Sequence, residues 1–470
     1  AAPLRAVLIG LALLLAFLSI SPVSAATPVS GTIAEDTTWA LADSPYTVTG
    51  HVTVASGVTL TIEPGVTVKF DSGKVLEVEG TLVARGTSSD RITFTSSAAS
   101  PAAGDWGYIK FEDSSTDATF DGNGDYASGS ILEHCTVEYG GGIGDYSTGQ
   151  IWADASHPFI NNCTIRLSAT NGVRLNPTVA FKFTNNTLDS NSYRGLYAYS
   201  PIGNVSTSAG GTITISGNTV TNNGARGILA SSFGEGAPSP LTTYVNNNVV
   251  SNNVGGGITV SGGSFVVSQN EVTNNTVAGD DGAGIAIYGS YGTSIVTDNL
   301  VKGNSGQRGA GIFAKAFSDG GGSGTVTISN NQIIENTGNR GGAIYLPNSG
   351  GTLNITNNIM HGNSVSGNAS NGIEPHGAAL WLEARTPNLT VTGNSITGHS
   401  GNSLVYVHCP ESMDPICTGV NYSSTPIVNN NNLLNNNTTY WLYNNHEDGS
   451  DTVNAENNWW GTTSDVEMQA

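Results

Sequence analysis

The stretch ISNNQIIENTGNRGGAIYL, residues 328–346, decides how the rest of the chain is read. Apolar residues alternate and a pair of asparagines follows. Alternation then resumes, and a glycine-rich corner leads into a further short apolar run. A frame of apolar, two residues, Asn, one residue, apolar fits Ile215 to Val220 and Val245 to Val250. It recurs around Asn186, Asn270, Asn299, Asn331, Asn358, Asn394, Asn431 and Asn458. Leu132 to Val137 and Ile160 to Ile165 keep the frame with Cys135 and Cys163 in the asparagine slot. Successive asparagine slots are 22 to 37 residues apart, the period of a solenoid rather than of a globular domain. A second signature follows each slot, a strand-like run such as Gly311-Ile312-Phe313-Ala314 or Ala379-Leu380-Trp381-Leu382.

The physical reading is stacking. Two or three short strands cannot bury an apolar face by themselves. Wound as a coil, they rest on the next coil at the ~4.8 Å spacing of neighbouring strands. Asparagines in one slot then bond one another up and down the stack, as side-chain amides do in cross-β ladders. The expected fold is all-β, a single solenoid of parallel strands with loop insertions.

The segmentation follows. Residues 1–25, with Arg5 before an apolar run and Val23-Ser24-Ala25 as a cleavage site, read as a secretory signal peptide. Residues 26–50, with Trp39 and Tyr46, are expected to cap the first coil. Residues 51–130 form N-terminal coils, 131–461 the asparagine-ladder coils, and 462–470 a C-terminal tail. Without an initiator Met the sequence reads as a fragment. Export makes disulfides available. Cys409 and Cys417 are expected to pair; Cys135 and Cys163, one coil apart, are expected either to pair or to stack as thiols. The formal charge of −20 argues against a nucleic-acid partner. No phosphate-binding loop, dinucleotide motif or zinc-type Cys/His cluster is written in the chain. Oligomeric state is not legible.

The units NNTLDSN, GNTVTNNGARGI and NNQIIENTGNRGGAI resemble the right-handed parallel β-helix repeat, the architecture of pectate lyases and other polysaccharide-active proteins. The run from His51 to Gly86, GDWGYIKF (104–111) and NNWWGTT are similar to segments of secreted bacterial β-helix proteins. The resemblance implies a right-handed coil and an extracellular or cell-surface address. It also implies a polysaccharide or surface-glycan partner.

Stacking turns columns of sequence into surface stripes. Asp281, Arg308, Arg340 and His376 stand just before the glycine corners of four coils. Ala286, Phe313, Tyr345 and Trp381 follow one residue past the inward Ile or Leu and are expected to point outward. Tyr288, Lys315 and Glu383 come next on that face. One reading is a glycan track, with Phe313, Tyr345 and Trp381 stacking on sugars and arginines holding carboxylates. The other is that these rings stack on one another for stability. The function expected is a non-catalytic carbohydrate-binding, adhesive or structural module. The rival is a lyase, epimerase or hydrolase of uronate glycans. Arg308 or Arg340 would then neutralise the carboxylate and His376 or Lys315 would abstract the proton. Asp280 and Asp281 are the acidic pair beside the track, expected to hold any Ca2+, and Asp281 is also a catalytic candidate; the pair resembles the paired aspartates of polygalacturonase-like hydrolases, whose Gly-His-Gly element is absent. IWADASH (151–157) resembles a Trp-Asp-His element of pectate lyases, although His157 does not directly follow Asp154. GIEPHG (372–377) resembles the Asp-Pro-His element of mannuronan epimerases, with Glu374 in place of the aspartate.

Overall fold

A computed structural model of the chain describes residues 26–200, 211–232, 241–279, 282–290, 292–316, 324–347, 351–366, 375–383, 388–408, 426–445 and 453–460. The signal-peptide segment, Asp280, Asp281, Cys409, Cys417 and the tail lie outside these residues.

One coil shows the construction. Ser264–Ser268 lies on a first face, Glu271–Thr273 on a second and Ile285–Ser290 on a third. Each strand pairs in parallel with its equivalent one coil away. The first face is a 14-stranded sheet. The second and third faces join into one 30-stranded sheet, because Thr27–Ile33 and Tyr46–Val54 run along both. Among the described residues the only antiparallel pair is a small hairpin, Thr119–Phe120 with Tyr126–Ser128. The only helix is one 3-10 turn, Leu41–Asp43, so no helix among them is long and apolar enough to cross a membrane.

Register makes the core. On the first face Val245, Val267, Val296, Ile328, Ile355, Val391 and Val428 follow one another in pairing partners, all buried. The second face stacks Val272, Val301, Ile333, Met360, Ile396 and Leu433. The third stacks Ile258, Ile285, Ile312, Ile344, Leu380 and Val405. Apolar side chains with two-residue alternation in each strand thus build one continuous interior. At the N-terminal end Trp39 stacks on Tyr46 with ring centroids 5.0 Å apart, both buried in the first rungs.

The paired asparagines divide their labour. The first of each pair turns the chain from the first face to the second: Asn185, Asn247, Asn330, Asn357, Asn430 and Asn457 all have φ between 56° and 59°. Asn tolerates that left-handed region better than other residues with a side chain, and Gly217 and Gly393 take the same slot elsewhere. The second asparagine turns inward. From Asn186 through Asn218, Asn248, Asn270, Asn299, Asn331, Asn358, Asn394 and Asn431 to Asn458, each Nδ2 donates to the next Oδ1 at 2.9–3.2 Å. Each Oδ1 also accepts the backbone N–H one coil back, as from Asn299 to Asn331 at 3.0 Å. All ten expected slots form this one ladder.

A second ladder, not anticipated from the sequence, runs along the next corner. Asn191, Asn223, Asn253, Asn275, Asn304, Asn336 and Asn363 repeat the bonding at 2.9–3.0 Å. Each stands five residues after a member of the first ladder, from Asn186 and Asn191 to Asn358 and Asn363. That constant interval was the available signal. His399 takes the next slot, fully buried, with its ring nitrogens 3.2 Å from the Asn363 carbonyl and 3.1 Å from that of Met360.

Cys135 and Cys163 do not form the disulfide that was one of the two expectations for them; both are buried free thiols. The geometry supplies the reason. The Cys135 thiol donates to the Ala84 carbonyl and the Cys163 thiol to that of Leu132, each at 3.4 Å. Asn186 uses the next carbonyl in that column, on Ile160. The sulfurs are aimed down the ladder, substituting weakly for amides. Burial also pushes the Cys135 thiol well up, against the thiolate that oxidation requires.

Candidate functional site

The third face carries one outward column through the length of the solenoid. Pairing register runs Trp152, Arg174, Tyr197, Leu229, Thr259, Ala286, Phe313, Tyr345, Trp381, Tyr406, Tyr443. The expected neighbours Phe313, Tyr345 and Trp381 are therefore brought onto consecutive rungs. Their ring centroids are 5.8 and 5.9 Å apart, with interplanar angles of 10° and 27°.

These rings point away from the core, but they are not open. Phe313 is 3%, Tyr345 1% and Trp381 0% exposed. With Ala286 and Tyr406 they make a second apolar cluster outside the solenoid, and Tyr288 and Tyr443 flank it. The expectation that Phe313, Tyr345 and Trp381 stack on sugar rings is corrected: their faces are occupied by one another. Tyr406 packs against Trp381 at 4.4 Å, tilted by 46°, and stacks on Tyr443, 5.5 Å away and 6° from parallel. Sequence reading missed them, although Leu404-Val405-Tyr406-Val407 repeats the pattern of Leu380-Trp381-Leu382.

Polar groups rim this buried seam. Arg308, Arg340 and His376 are register partners on three successive coils, as their spacing implied. The Arg308 guanidinium lies 5.8 Å from the Tyr345 ring and that of Arg340 lies 5.3 Å from Trp381. Both side chains are half-buried, so the cations hold part of their surface toward solvent over an aromatic floor. His376 is stacked 4.4 Å from Tyr406 and 5.4 Å from Tyr443, and its Nδ1 is 3.3 Å from Ser403 Oγ. The Tyr345 hydroxyl donates to Glu383 at 2.5 Å. Burial first, and then that carboxylate, push the Tyr345 hydroxyl's pKa up, so it stays a donor. Tyr288, Lys315 and Glu383 are half-buried at the edge. Asp280 and Asp281, the pair named for Ca2+, are outside the described residues, among which no group of three His, Cys, Asp or Glu is placed to hold a metal ion. His157, from the element resembling pectate lyases, is buried with its Nδ1 3.0 Å from Asp117 and its Nε2 accepting the Thr178 N–H. It holds a loop rather than facing the outward column.

The arrangement offers cations in a row at one-coil intervals. It can engage a ligand carrying anionic groups along its length. Residues 31–153 match the family model of the pectate-lyase like beta helix domain, and residues 204–410 match that of the right handed beta helix region. No curated protein matches the chain. Parallel three-faced coils, laddered corners and these two matches agree: the chain is a right-handed parallel β-helix repeat protein, similar over residues 31–153 to the pectate-lyase like beta helix domain.

Proposed function

We propose that this protein is an extracellular, non-catalytic β-helix module that binds acidic carbohydrate or presents itself at a cell surface through its third face. The observation that carries this reading is the row Arg308, Arg340, His376 on consecutive coils above a buried aromatic seam. A packed column of five rings gives the cations a rigid base, so little side-chain freedom is lost when a carboxylate arrives. The rings serve the site from beneath, by fixing guanidinium orientation, and sugar contact falls to the half-buried Tyr288, Lys315 and Glu383.

One observation favours an enzyme as the second reading. Arg340 and His376 are direct register partners, a pairing that suits a uronate lyase or epimerase, which needs a carboxylate-neutralising group beside a base. A single experiment separates the two. The purified protein is incubated with a panel of uronate polymers, with and without Ca2+, and both retention and unsaturated product are recorded. Retention without product, weakened in Arg340→Ala and by salt, is the expected result. Product that vanishes in Arg340→Ala establishes the enzyme instead. Neither retention nor product leaves only the structural role.

A further inference from the structure

The N-terminal part of the same column holds a different cluster, four rungs and roughly 19 Å from Phe313 at ~4.8 Å per rung. Trp152, Arg174 and Tyr197 are register partners on successive coils. The Arg174 guanidinium lies 4.1 Å from the Tyr197 ring and 5.2 Å from Tyr199. That of Arg194 lies 4.4 Å from Tyr193 and 4.6 Å from Tyr197. Rings that cover guanidinium faces leave the in-plane N–H edges to find acceptors.

Several of those N–H groups meet no acceptor. Arg174 is 8% exposed, and its Nη1, the Nε and Nη1 of Arg194 and the Nε1 of Trp152 are all buried without a hydrogen-bond partner. Asn176 Oδ1, two residues along the same strand from Arg174, also lacks a partner. Among the described residues neither Arg174 nor Arg194 forms an ion pair. The nearby Asp154 carboxylate takes a hydrogen bond from Asn176 Nδ2 at 2.8 Å. Burial lowers the pKa of both arginines, and each also feels another arginine, Arg194 beside Arg174 and Arg226 beside Arg194. Each buried donor left unmade costs about 1–3 kcal/mol, so a native fold that keeps several together calls for a missing partner. An anionic acceptor would satisfy several of these donors at once and offset the adjacent guanidinium charges.

We infer that Trp152, Arg174 and Arg194 form an oxyanion-binding site that takes the carboxylate or sulfate group of a ligand. The site stands apart from the Arg308–His376 row, with Leu229, Thr259 and Ala286 between them, and does not depend on that row binding anything.

The test is calorimetric titration of the full chain with sodium sulfate and, separately, sodium acetate, at ionic strength held constant with chloride. The Trp152 indole N–H is followed by NMR and assigned with Trp152→Phe. Saturable binding of at least one anion is expected, with a shift of the Trp152 indole signal. Affinity is expected to fall about tenfold or more in Arg194→Gln, the loss of a charge-assisted bond, and to be unchanged in Arg340→Ala. Stronger sulfate binding points to a sulfated ligand and stronger acetate binding to a carboxylated one. Arg174→Gln is a second variant; Arg174 is the more buried of the two, so Arg194→Gln is the primary test, with strand circular dichroism recorded for both to separate loss of binding from loss of fold. Absence of saturation by both anions, or wild-type affinity in Arg194→Gln, overturns the proposal. So does a dependence on Arg340.

Discussion

Replacing Asn331 by alanine removes one rung from the middle of the first ladder. Asn331 Oδ1 accepts the Asn299 backbone N–H at 3.0 Å and Asn299 Nδ2 at 2.9 Å. Its Nδ2 donates to Val296 O, Ser329 O and Asn358 Oδ1 at 2.9 to 3.0 Å. Some partners keep other bonds: Asn358 Oδ1 retains the Asn331 backbone N–H, and Asn299 Nδ2 retains Val267 O and Thr297 O. The Asn299 N–H loses its side-chain acceptor at a site closed to water. One orphaned buried donor costs about 1–3 kcal/mol, and the remaining lost bonds bring the total to roughly 3–5 kcal/mol. The control is its exposed neighbour. Asn330 has φ 57°, and Gly217 and Gly393 hold that slot in other coils, so Asn330→Gly is expected to stay within about 0.5 kcal/mol. Because stacked repeats depart from two-state unfolding when one interface is weakened, urea melts of Asn331→Ala should broaden or split. Hydrogen exchange supplies the local measurement: the Asn299 amide should lose protection while the Asn248 amide, which donates to Asn270, keeps it. If Asn331→Ala matches Asn330→Gly in urea and the Asn299 amide remains protected, the ladder is not a stabilising element and the reasoning fails.

His399 makes a pH prediction. Burial pushes its folded pKa down to about 4, below the ordinary value near 6.5. The unfolded chain therefore binds the extra proton between these values, and stability falls as pH drops from about 6.5 to about 4, by on the order of 3 kcal/mol from this residue. His399→Asn restores the ladder amide and should remove that part of the slope; equal pH slopes in acid-dependent melts of the two proteins count against the account. Tyr345→Phe deletes the bond to Glu383 and is expected to cost about 1–2 kcal/mol by urea melt, without altering the strand circular dichroism. Cys135 and Cys163 should resist a water-soluble thiol reagent in the folded protein and react in urea, as read by site-resolved mass spectrometry; rapid labelling of either in the native state contradicts their burial.

The sequence by itself determined the coil. Every slot from Asn186 to Asn458 found in the repeat is a rung of the first ladder, because a side-chain amide at a fixed place in each unit has only its equivalents to bond. It also brought Arg308, Arg340 and His376 into register, since the period that aligns the asparagines aligns everything at constant offset from them. What the period does not carry is depth. Phe313, Tyr345 and Trp381 face outward by strand alternation and yet are buried, because exposure depends on what lies against an outward residue from other parts of the chain. The thiols of Cys135 and Cys163 share a slot, but the direction of each sulfur is set by a carbonyl column that only folded coils create. Arg174 and Arg194 lie in different parts of their coils, and nothing in their spacing marks them as neighbours of one tyrosine. One-dimensional repetition fixes which residues stack, whereas tertiary structure decides what covers them and which polar atoms are left without a partner.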